Sequence, residues 1–231
     1  MNENNIKLLK ISHRKTIKVS INKAQQKKSN VTLIIGPGYY KSMNDRLLNY
    51  LSDYLVTENV NVIKFDYPFT DKKIKMFLGI NNLKNIYKKV FEYIQSKEEF
   101  SNDYFFVGGK SLSSIVSSKI ISDKIKGYLF LGFPQKITFL KIPLPKRSLF
   151  ALKKPMFFIQ GTNDKYTDNK KIELLVGALN PYARLMLIPE TDHSLKLLSN
   201  TKRLQKDVDK EIADIVLWFL SDVVNENINN N

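Results

Sequence analysis

The stretch VGGKSLSS, residues 107–114, admits two chemistries. Gly109-Lys110-Ser111 is how a phosphate-binding P-loop ends, with the lysine on the phosphates and the hydroxyl on magnesium. Gly109-Lys110-Ser111-Leu112-Ser113 is also close to G-x-S-x-G, the strained strand-to-helix turn that exposes a serine hydroxyl for attack on an acyl carbon. A P-loop needs a glycine five residues before Gly109, and Tyr104 stands there. Phe105, Phe106 and Val107 favour a strand, which leaves no loop to wrap a phosphate. The acid that ends VIKFD, Asp66, precedes the motif, whereas the magnesium-holding acid of such proteins follows it. The acyl-transfer reading is the one that survives.

A serine hydroxyl is a poor nucleophile until a base takes its proton and an acid orients that base. The elbow motif predicts the chain order serine, acid, histidine, with the acid after a later strand and the histidine after the last one. The chain has two histidines. His13 lies ahead of any nucleophile, while His193 lies in PETDHSL, directly after the apolar run RLMLIP. FFIQGTND places Asp164 just after another apolar run. Asp168 is a rival, but it opens DNKKIELL and reads more simply as a helix N-cap. Asp192 adjoins His193 and would point elsewhere if His193 faces the site. Taken alone, Ser111 could itself be a helix N-cap, and a single loop histidine is usually surface decoration. Their ordered spacing with Asp164 makes the constellation. Around the elbow, Gly109 supplies the small residue required two positions before the serine, and Ser113 stands where glycine is usual two positions after it.

These residues need a scaffold that alternates strands with helices. Residues 16–21 alternate and read as an early strand paired with 6–11. VTLIIG, NVNVIKFDYP, DYFFVGG, GYLFLGFP, PMFFIQG and RLMLIPE are short apolar runs of the kind buried on both sheet faces. Between them, helical spacing appears in 44–55, 83–94, from Ser111 onward, in 168–179 and in 204–224. After a hairpin-like start, this alternation predicts an α/β architecture: a mainly parallel sheet with helices on both faces. No repeat or linker divides the chain, so one domain over 1–231 is expected. A proline-bearing insert at about 133–154 is expected to cap a site or to move.

Composition narrows the function classes. With 231 residues and 43% hydrophobic content, the chain can bury a full core. The absence of cysteine excludes disulfides, thiolate nucleophiles and cysteine-ligated zinc. The first residues lack the apolar core of a signal peptide, and no apolar run approaches a membrane span. A cytoplasmic location without a membrane span is the expectation. The net charge of +15 raises nucleic acid as a partner. The lysines are spread along the chain rather than gathered, and no RNP-type or zinc-finger motif is present, so specific nucleic-acid binding is not expected.

As an ordered set, LIIGPG, FDYPF, GGKSLSS, LGFP, FIQGTND and TDHS resemble the α/β-hydrolase family, and more closely its small dienelactone-hydrolase-like branch. The resemblance spans most of the chain. It implies a three-layer α-β-α sandwich with a mostly parallel sheet of about eight strands, and a Ser111–Asp164–His193 triad. It also implies an oxyanion hole of two backbone N–H groups. One is expected from Leu112. The other is expected from the loop after VTLIIG, where Pro37 has no N–H, so Gly38 or Tyr39 must supply it. Tyr39, Tyr40 and Phe133, with the 133–154 insert, are expected to shape the pocket. The expected activity is hydrolysis of a carboxylic ester or related acyl bond, on a small-molecule substrate and with no cofactor. Pro37, Ser113 and the absence of the family's frequent histidine before Gly36 motivate a second reading, a non-catalytic binding or scaffold protein on the same fold.

Overall fold

A computed structural model describes residues 5–13, 15–25, 29–70, 79–135 and 146–229. The apolar alternation of the first segments folds into a hairpin, β1 (Ile6–Ser12) against β2 (Lys15–Asn22). The buried runs follow as β3 (Val31–Gly36), β4 (Asn61–Phe65), β5 (Tyr104–Lys110), β6 (Ile125–Leu131), β7 (Met156–Gly161) and β8 (Ala183–Ile188). The eight strands form one sheet in the order β1-β2-β4-β3-β5-β6-β7-β8. β2 runs antiparallel to β1 and β4, and every pairing from β4 to β8 is parallel.

Parallel pairing requires crossovers, which helices provide. They are α1 (Arg46–Thr57), α2 (Ile80–Gln95), α3 (Leu112–Ser117), α4 (Lys146–Leu152), α5 (Asn169–Ala178) and α6 (Gln205–Asn229). The strands divide their side chains between two cores by strict alternation. Ile34, Phe105, Val107, Tyr128, Phe130 and Phe158 face the helices α2 to α5. Leu33, Ile35, Phe106, Leu129, Leu131, Phe157 and Ile159 face α1 and α6. Leu47, Leu48, Leu51 and Leu55 of α1 are fully buried, each worth roughly 1.5–3 kcal/mol relative to exposure. The sheet expected from the sequence, mostly parallel, eight-stranded and helix-covered on both faces, is therefore the one observed.

Of the insert expected at about 133–154, residues 136–145 lie outside the described residues, and its second half is α4. Among the described residues no helix is long and apolar enough to cross a membrane.

Candidate active site

Three strand ends converge on one spot. β5 carries the chain into Ser111, whose backbone sits at φ 52° and ψ −111°. A non-glycine residue there is strained, typically by about 1–3 kcal/mol. Its N–H donates to Leu131 O (2.8 Å) and its carbonyl accepts from Ser114 N (3.0 Å), so the turn is held from both sides. Ser111 stands at the N-cap position of α3, but its side chain makes no capping hydrogen bond to that helix.

The Ser111 hydroxyl lies 2.8 Å from His193 Nε2, and His193 Nδ1 lies 2.6 Å from Asp164 Oδ2. Ser111, Asp164 and His193 come from the loops after β5, β7 and β8, and tertiary structure brings them into one hydrogen-bonded line. The Asp164 side chain is fully buried. Its charge is satisfied by Tyr166 N–H on Oδ1 (2.7 Å) and by the Gln160 amide, which donates to the same Oδ2 that meets His193. The Tyr166 ring stands edge-on to the imidazole at 4.7 Å between centroids. Asp168 caps α5 through Lys171 N, and Asp192 accepts from Ser194 N (2.7 Å) and Lys196 N (2.9 Å), which braces the histidine turn.

A cavity of about 470 Å³ opens over this line. Gly38, Tyr39, Leu112, Pro134 and Tyr166 line it together with Ser111 and His193. Gly38 and Leu112 thus stand on the same space as the serine, and a Cβ on Gly38 would lie 3.6 Å from Ser111 Cβ. Tyr39 lines the cavity as well, whereas Tyr40 and Phe133 do not. Tyr40 is half exposed and leans on Tyr39 and Phe69. Phe133 is fully buried between Phe130 and Phe158, because the chain turns at Gly132 and sends the next side chain into the core. Pro134, one residue on, takes the lining position. Burial, then the hydrogen bond with Tyr40, pushes the Tyr39 hydroxyl up to about 12. Among the described residues no group of three His, Cys, Asp or Glu side chains is placed to hold a metal ion.

Lys110, which a P-loop would have turned to phosphate, is instead buried in an ion pair. Its ammonium lies 2.9 and 2.8 Å from the two oxygens of Asp45, which also accepts from Leu47 N to cap α1. Burial lowers the Lys110 pKa, and the charge of Asp45 opposes that shift. Asp45→Ala leaves a buried cation without its partner, and the expected loss is about 3–5 kcal/mol of unfolding free energy. Urea denaturation checks it, and adding Lys110→Met should restore most of the loss.

Asp45, Gln160 and Tyr166 were not singled out by sequence. Gln160 leaves a trace, since a glutamine inside the apolar run FFIQG must find a buried partner. Asp45 shows only as an acid just before a helix, and its role for Lys110, 65 positions away, is a fact of packing.

A family model described as alpha/beta hydrolase domain matches residues 29–221. The chain belongs to this family. Solved structures share the fold at low identity. An alpha-beta serine hydrolase homologue from Coxiella burnetii is 15% identical, with a TM-score of 0.74 over 94% of this chain and 97% of the other. Est1E from Butyrivibrio proteoclasticus is 11% identical, with a TM-score of 0.73 over 94% and 99%. A dienelactone hydrolase from Anabaena variabilis is 13% identical, with a TM-score of 0.68 over 90% and 95%. The expected membership of the α/β-hydrolase family is thus shown, and with it the meaning of the alternating strands and helices.

Proposed function

We propose that the protein is a serine hydrolase that cleaves a carboxylic ester or related acyl bond through an acyl-enzyme. One observation carries this reading: the Ser111 hydroxyl, held at a strained elbow on the wall of a cavity, lies 2.8 Å from an imidazole whose other nitrogen lies 2.6 Å from a buried carboxylate. His193 Nε2 takes the Ser111 proton as Oγ bonds to the acyl carbon. The same proton then goes to the leaving alkoxide as its bond to the acyl carbon breaks. Water, deprotonated by His193, then bonds to the acyl carbon, and the acyl–Oγ bond breaks as His193 returns that proton to Ser111 Oγ, which releases the acid. Asp164 keeps the His193 proton on Nδ1 and stabilises the imidazolium. The N–H groups of Leu112 and of Gly38 or Tyr39 serve the oxyanion.

The serine hydrolase and dienelactone hydrolase among the structural relatives fit this chemistry and a small acyl substrate. Labelling tests it. A fluorophosphonate probe should modify the wild-type protein at Ser111, located by peptide mass, and Ser111→Ala should remain unlabelled. Equal labelling of both would remove Ser111 from the mechanism. No labelling of a folded wild-type protein would favour a binding role on the same fold.

A further inference from the structure

Ser113 departs from the glycine usual two residues after the nucleophile, and its surroundings show what it does there. It is fully buried. Its side chain fills a space left by two glycines: a Cβ at Gly36 would collide with Ser113 Oγ, and one at Gly109 with Ser113 Cβ. The Ser113 hydroxyl donates to the carbonyl of Pro37 at 2.5 Å. The fully buried Tyr67 OH lies 3.4 Å from Ser113 Oγ, and burial raises its pKa.

Pro37 and Gly38 share one peptide plane. Among the described residues the only cis bond precedes Pro181, so this plane is trans, and its C=O and N–H point in opposite directions. Anchoring the Pro37 carbonyl on the interior side therefore fixes the Gly38 N–H on the other side. Gly38 lines the cavity beside Ser111, and among the described residues its N–H has no acceptor. A glycine without a side chain, following a residue that cannot donate, would otherwise be free to turn this plane.

We propose that Ser113 is a positioning residue: through the Pro37 carbonyl it aims the Gly38 N–H at the oxyanion that forms on Ser111. It rests on the serine hydrolase reading above. It also chooses Gly38 over Tyr39 as the second donor. The residue that departs from the family pattern then compensates for the proline that departs from it nearby.

The test compares wild type with Ser113→Ala on short p-nitrophenyl esters, with a peptidic or aryl boronic acid as a tetrahedral-adduct mimic. Losing an oxyanion donor costs about 10²–10³ in rate, and losing its support should cost somewhat less, about 10–100-fold in kcat. KM should stay within about twofold, as for an interaction made only in the transition state. Boronate affinity should fall in step with kcat. Ser113→Gly, which leaves more room but also lacks the hydroxyl, should show the same split and serves if the alanine variant does not fold. Wild-type kcat in either folded variant overturns the inference, as does a rise in KM with kcat unchanged. Failure of the wild-type protein to label at Ser111 overturns the hydrolase reading itself, and this inference with it.

Discussion

His193→Ala should lower kcat for short p-nitrophenyl esters by about 10⁶-fold while leaving KM within a few-fold. The magnitude follows from the behaviour of such groups as a unit: removing the base alone costs nearly as much as removing the whole set. Here His193 Nε2 lies 2.8 Å from the Ser111 hydroxyl, where the proposed base must stand. Its neighbour Asp192 also lines the cavity, but its Oδ1 is taken by the N–H groups of Ser194 and Lys196. The imidazole side chain is mostly buried and pairs with the fully buried Asp164, so a melting curve beside the kinetics separates lost stability from lost chemistry. Residual turnover should come from the oxyanion donors alone. A kcat within tenfold of wild type would show that another group takes the Ser111 proton.

Asp164→Asn should lower kcat by about 10⁴-fold with the fold intact, measured on the same esters beside a melting curve. The surroundings of Asp164 explain why the amide cannot simply stand in. Tyr166 N–H points at Oδ1, so the new amide nitrogen is repelled from that side. It must take the Oδ2 position, where Gln160 can turn its carbonyl oxygen to meet it. Among the described residues Gln160 Oε1 has no hydrogen-bond partner, so that rotation breaks nothing else. The introduced amide then donates to His193 Nδ1, which must accept. The imidazole proton moves to Nε2 and faces Ser111, and the base is lost although every side chain keeps its place. Gln160→Leu combined with Asp164→Asn should not deepen the loss by more than about tenfold, since the tautomer is already wrong.

The elements were legible because their signals are local. The runs VTLIIG, DYFFVGG and PMFFIQG are buried on both faces, and each became a strand whose side chains alternate between the two cores. Asp168 was legible as a cap because capping is settled within three residues. Phe133 and Tyr40 were placed on the pocket by sequence and lie elsewhere. At a strand end, one residue of turn decides whether a side chain enters the core or the cleft, and the φ of 58° at Gly132 is visible only in three dimensions.

By itself the sequence determined the order of the strands and of every helix but α4, which lies in the insert read as irregular, and with it the chain positions at which a serine, an acid and a histidine could meet. Those follow from periodicity and turn chemistry, which act over a few residues. Tertiary structure alone decided which groups touch. It set Lys110 on Asp45 rather than on a ligand, Gln160 on Asp164, and Ser113 between Gly36 and Gly109 with its hydroxyl on Pro37. Most of these contacts join residues dozens of positions apart, and their energies depend on burial and on ångström-scale geometry that no local pattern encodes.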